Sequence, residues 1–136
     1  MDGSENALGE PARIGVAIDI PEPWGSFLTR RRAAAGDPMA AYVPAHLTLL
    51  GPTELDPAHL PDVEEHLETV AAAHAPYRLH LRGTGTFRPV TEVVFVVVAA
   101  GISETEMLAA AINAAPQLRR ETRFPYHPHI TVAQDV

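Results

Sequence analysis

The chain has no cysteine and no lysine; its ten basic residues are all arginine. Without cysteine, disulfides and thiolate metal sites are excluded and a reducing compartment is permitted. No apolar run is long enough to cross a bilayer, and the first ten residues lack the basic and apolar regions of a secretory signal. A cytoplasmic protein with no membrane partner is therefore expected. Positive charge is scarce too, since seventeen acidic residues leave a formal net charge of −7. Such a surface repels a long polyanion, which argues against extended nonspecific contact with nucleic acid. Two arginine clusters are local exceptions, Arg30-Arg31-Arg32 and Arg119 with Arg120 and Arg123. Both also read as solvated turn positions and helix ends, where arginine suits the negative end of the helix dipole.

What is present reads as a folded domain. The 136 residues are 46% hydrophobic, enough for one core and too few for two independent ones. Residues 1–11 are small, polar and acidic without periodicity and read as a flexible tail ahead of a domain over 12–136. Alternation from Arg13 to Ile20 predicts a strand with Ile14, Val16, Ile18 and Ile20 on one face and Asp19 on the other. Trp24, Phe27, Leu28 and Arg31 follow at helical spacing, with Trp24 and Phe27 expected against a sheet rather than stacking a base. A strand is expected over Tyr42–Leu50, closed by Gly51-Pro52. Asp56 and Pro57 look like the N-cap and first position of a helix whose stripe is Leu60, Val63, Leu67, Val70 and Ala71, and His59, His66 and His74 read as surface residues on it. Tyr77–Arg82 alternates, and Gly83 and Gly85 predict a bulge before Phe87. The run Val93–Val98 reads as a strand covered on both faces. Ser103 and Glu106 suggest a capping box on a helix that buries Met107, Leu108, Ala111 and Ile112.

One pattern occurs twice: His46-Leu47-Thr48-Leu49 and His129-Ile130-Thr131-Val132. Side chains of a strand alternate between faces, so each copy offers an imidazole and a hydroxyl on one side and should bury its two aliphatic residues on the other. Two histidines and two hydroxyls in one cleft suit acid–base chemistry on a phosphodiester. A neutral imidazole takes a proton from the attacking hydroxyl or water, and a protonated one gives a proton to the leaving oxygen.

The doubled H-x-T-aliphatic pattern resembles the signature of the 2H phosphoesterase superfamily, in particular its LigT-like branch of 2'-5' RNA ligases and cyclic phosphodiesterases. Pro44 ahead of the first copy, Tyr126-His127-Pro128 running into the second, and Gly85-Thr86-Phe87-Arg88-Pro89 between them strengthen the likeness. The resemblance implies an α+β fold, with two antiparallel sheet lobes around a central cleft and helices outside. It implies an enzyme that opens 2',3'-cyclic phosphates of nucleotides or RNA ends, or acts on 2'-5' linkages, with no metal and no cofactor. His46 and His129 would be the acid–base pair and Thr48 and Thr131 the phosphate ligands. The chain departs from the family in stopping soon after the second motif, so an incomplete second lobe and a bare strand edge that favours a homodimer are expected. It also has Gln134 where many relatives have an arginine. A non-catalytic binder or sensor of a phosphorylated nucleotide, using the same cleft, is the alternative. A metal hydrolase built on His46, His127 and His129 is weaker, because no acidic ligand lies near them in sequence.

Overall fold

A computed structural model describes residues 10–119 and 125–134. Residues 1–9 of the expected tail, and Arg120 and Arg123 of the second arginine cluster, lie outside the described residues. In order the elements are β1 (Ala12–Asp19), α1 (Trp24–Ala34), β2 (His46–Leu55), α2 (Leu60–Ala73), β3 (His80–Thr86), β4 (Val93–Ala100), α3 (Ile102–Asn113) and β5 (His129–Gln134). Short 3-10 turns at Pro38–Ala41 and Pro57–His59 precede β2 and α2. The mixed α+β class expected from the sequence is the one observed, with antiparallel sheets ordered β1-β2 and β3-β4-β5. No helix among the described residues is long and apolar enough to cross a membrane.

The chain divides into two compact units, one holding Leu49–Tyr77 and Ser103–Tyr126 with the chain up to Val16, the other Ala17–Thr48, Arg78–Ile102 and the chain from His127 on. In the first, Asp56 accepts a hydrogen bond from the Ala58 amide and caps the turn that opens at Pro57, as the sequence predicts. Val63 and Val70 of α2 are buried, whereas Ala71 is exposed. His66 is not a free surface residue, since its Nε2–H donates to the Ala111 and Ile112 carbonyls, at 2.9 and 3.1 Å, near the end of α3. The Ala111 carbonyl also accepts from the Ala114 amide at 3.3 Å, so the imidazole adds a donor at a helix end whose last carbonyls lack the usual intrahelical partners.

The buried face of α3 lies a quarter turn from the expected one. Thr105, Ala109 and Ile112 are buried while Met107 is 64% exposed. The helix already starts at Ile102, after Gly101 at φ 89°, so Ser103 lies inside the first turn instead of capping it. Thr105 turns inward because its hydroxyl is paired with the Tyr77 hydroxyl at 2.8 Å, which makes a buried polar group tolerable. Tyr126 is half-buried, and burial, with Tyr77 and Glu106 nearby, pushes its phenol well above the usual range.

In the second unit β4 is the central strand of three, as its apolar run predicts. Register between β3 and β4 shifts between Leu81 and Thr84, at Gly83 with φ 74°, so the expected bulge is present. A second irregularity sits in β5: Val94 pairs with Ala133 and Phe95 with Thr131, leaving Val132 as the extra residue. Leu47, Leu49 and Ile130 are buried as expected, but the bulge turns Val132 off the pleat and leaves it only half-buried. A full burial such as that of Leu47 or Ile130 stabilises the fold by roughly 1.5–3 kcal/mol.

Trp24 and Phe27 do not pack on a sheet; they are 61% and 47% exposed. The face that α1 buries is the one carrying Gly25 and Arg32. Gly25 is required there, because a Cβ would lie 2.3 Å from the Ile20 carbonyl oxygen. Arg32 is likewise no part of a solvated cluster, since its Nε donates to Asp37 Oδ2 at 2.7 Å with both side chains buried. Strand β2 begins only at His46 and runs through Gly51-Pro52 to Leu55. In a two-stranded sheet each strand has an open edge, so a proline without an amide hydrogen can be accommodated.

Candidate active site

All the residues that follow, the two motif histidines included, belong to the second unit. His46 is the first residue of β2 and His129 the first of β5, and both are half-buried. The two imidazoles are held alike. His46 Nδ1 lies 2.9 Å from the Pro44 carbonyl oxygen, and His129 Nδ1 lies 2.7 Å from that of His127. A carbonyl only accepts, so Nδ1 carries the hydrogen in both rings and Nε2 is the atom left for chemistry. Proline beside each bond holds the chain extended: Pro44 supplies one carbonyl, and Pro128 restricts the preceding His127, which supplies the other.

The segment ahead of His46 is anchored to α1. The Ala45 amide donates to Thr29 Oγ1 at 2.9 Å, and that hydroxyl donates to the Gly25 carbonyl. On its other side the Ala45 carbonyl accepts from the Ile20 amide. At the far end of β5, the Gln134 amide donates to Asp37 Oδ2 at 3.0 Å, while Oδ1 accepts from the Met39 amide. Burial alone would raise the Asp37 pKa, but the Arg32 hydrogen bond and these amides outweigh it and hold the carboxyl below the usual carboxylate range. Thr29, Arg32 and Asp37 thus brace the two motif strands. Sequence reading missed them, because pairing between residues distant in the chain leaves no periodic signal.

Behind His129 stands an aromatic wall. The Phe87 and Phe95 rings are 4.4 Å apart, and His129 meets them edge-on at 5.0 and 5.5 Å. His127 meets the same two rings at 5.3 and 5.2 Å and lies 6.1 Å from His129. Phe95 pairs with Thr131 across the ladder and with Gly85 on its other side, so all three point to one face. A Cβ at Gly85 would lie 2.9 Å from the Phe95 ring, which explains the glycine in Gly85-Thr86-Phe87. Thr86 Oγ1 closes that turn by donating to the Val93 carbonyl and accepting from the Arg88 amide.

Enclosure has an electrostatic result. Burial lowers the His129 pKa below its ordinary 6.5, and the charges of His127 and His46 push the same way, against the raising effect of the bond to the His127 carbonyl. His46 is therefore close enough for its charge to be felt at His129. Thr48 and Thr131 are both half-buried on their strands, two residues beyond their histidines and so on the same strand face. Asp19 lines a cavity of about 460 Å³ with Glu22, Ser26, Thr29, Arg30 and Pro44. Among the described residues, no group of three His, Asp or Glu side chains is arranged to hold a metal ion. The arrangement presents two imidazoles held alike through Nδ1, the one at His129 with a lowered pKa, and a threonine two residues beyond each.

A family model described as the 2'-5' RNA ligase superfamily matches residues 20–136, a span that includes both motifs. A protein of Halalkalibacterium halodurans provisionally named a phosphoesterase is 29% identical over 122 residues, covering 90% of this chain and 70% of the relative. Proteins with the same provisional name from Bacillus cytotoxicus and Bacillus mycoides are 33% and 31% identical, covering 72% and 74% of this chain. The chain spans only 56% and 57% of the length of those two relatives.

Proposed function

The chain belongs to the 2'-5' RNA ligase superfamily, and from that premise we propose that it is a metal-independent phosphoesterase acting on 2',3'-cyclic phosphates of nucleotides or RNA ends. Action on 2'-5' linkages by the same groups is part of the proposal. The observation that carries it is the matched pair of histidines, each with Nδ1–H tied to the carbonyl two residues earlier and Nε2 left over.

His129, held neutral, is the base. Its Nε2 takes a proton from water, whose oxygen forms the new bond to phosphorus. The bond from phosphorus to one ribose oxygen breaks, and that oxygen takes a proton from Nε2–H of a protonated His46. The Thr48 and Thr131 hydroxyls donate to the non-bridging oxygens, where charge builds up in the transition state. Each proton transfer contributes roughly 10²–10⁴-fold. Water returns the two histidines to their starting protonation states after each turnover.

The test is incubation of the protein with a 2',3'-cyclic mononucleotide in excess chelator, followed by identification of the product. A 2'- or 3'-monoester is expected. Binding without turnover at any pH would replace this reading with a ligand-binding protein, and activity only on addition of a divalent metal would overturn the two-histidine mechanism.

A further inference from the structure

The exposed flank of α1 carries Trp24, Phe27 and Arg31, spaced three and four residues apart and so on one face. The Arg31 guanidinium lies over the Phe27 ring at 5.6 Å, and Arg30 is exposed beside it. Two large aromatics left in water on an 11-residue helix are a cost that packing does not explain. We propose that this face docks the single-stranded RNA that continues from the reacting phosphate, an inference that rests on the functional reading above and adds a binding surface beyond its site.

Charge favours this occupant. The chain carries a net charge of −7, yet α1 contains three arginines and no acidic residue. Arg32 is neutralised by Asp37, while Arg31 and Arg30 are exposed and can reach phosphates, Arg30 in competition with the nearby Glu22 carboxylate. Glu22, just before the helix, is engaged by the amide and hydroxyl of Ser26. Trp24 and Phe27 offer π-faces to bases whatever their sequence, a combination used to hold single strands. The overall negative charge limits such contact to a short stretch near the site. The helix is also well placed to act with the site, because Thr29 on its inner side holds Ala45, the residue before His46.

Trp24 is the only tryptophan in the chain, so its fluorescence reports on this face directly and needs no turnover. The probe is a five-nucleotide single-stranded RNA ending in a 3'-phosphate. Saturable quenching is expected, absent with a blunt RNA duplex and with a 3'-mononucleotide. Log affinity should fall against log salt with a slope of about −1.4 for two phosphate contacts, and Arg31→Gln should bring it to about −0.7. Phe27→Ala should weaken binding roughly tenfold through loss of stacking. Met107→Ala, an exposed apolar change on α3, should leave affinity where it was. Calorimetric binding of the RNA without a change in Trp24 emission would overturn the docking face while leaving the catalytic reading intact. Emission that shifts with protein concentration alone, with a doubled mass, would assign the face to a second copy of the chain and overturn the proposal. Quenching by RNA in a protein that opens no cyclic phosphate would support the face and remove only the catalytic premise.

Discussion

The Nδ1–H of His129 donates to the carbonyl oxygen of His127 at 2.7 Å, and so fixes which nitrogen of the ring faces outward. His46 repeats the bond with Pro44. Nitrogen NMR of the labelled protein near neutral pH should find His129 as the Nδ1–H tautomer with an unprotonated Nε2. The reverse tautomer would leave the proposed base without a lone pair toward substrate.

Because burial, with help from neighbouring charge, depresses the His129 pKa, its base form should persist below pH 6.5. The acid limb of kcat/KM should lie lower than for an ordinary imidazole. His127→Asn, which removes one of the neighbouring imidazoles, should move that limb upward, though not back to the ordinary value, since burial remains the larger cause. Stability follows the same sign. In the unfolded state the ring binds protons more readily, so its contribution is full above pH 6.5 and is lost as pH falls toward the depressed value. His129→Gln should flatten this part of a denaturation curve measured against pH.

At Gly85 the added methyl of alanine meets the Phe95 ring at 2.9 Å. Gly85→Ala should cost about 1–3 kcal/mol in urea unfolding and should lower turnover by tilting the wall behind His129. Phe95→Leu in the same chain should recover part of the stability. If Gly85→Ala alone matched the parent in both measurements, the wall would have no part in placing the histidine.

Asp37→Asn leaves Arg32 buried against a neutral partner and weakens the tie to the Gln134 amide. A loss of about 3 kcal/mol is expected, in the range for breaking a buried pair from one side. The carboxyl is held below the usual range, so this support is present above pH 3.8 and fades as the solution is acidified through the lowered pKa. Thermal unfolding of both proteins from pH 7 down to 3 should show the difference shrinking toward the acid end.

The parts legible in the sequence were those with a local period. Alternation showed β1, the apolar run showed β4, and the repeated H-x-T pattern showed both site strands. Where the sequence misled, a longer-range contact had overridden the period. Thr105, outside the apolar set expected to be buried on α3, is drawn inward by the Tyr77 hydroxyl 28 residues away. Trp24 and Phe27 looked like the buried side of α1, yet Gly25 docks the helix on Ile20 and turns them outward. Arg32 looked like one of three solvated cations until Asp37, five residues on, was seen to pair with it in the interior. The segment around Gly85-Thr86-Phe87 was read as a likeness to relatives and, through Gly83 and Gly85, as a bulge. Its physical reason, room for the Phe95 ring, depends on a cross-strand neighbour that no local pattern reveals.

Two histidines acting as one unit is the central claim, and its most direct measurement is the turnover of a 2',3'-cyclic mononucleotide in chelator by the parent, His46→Ala, His129→Ala and the double variant. Each single change should lower kcat by roughly 10²–10⁴-fold with the fold intact, and the double should fall little further, because a base without its acid has no partner to work with. Parent-like turnover in either single variant, or penalties that simply multiply in the double, would contradict the account.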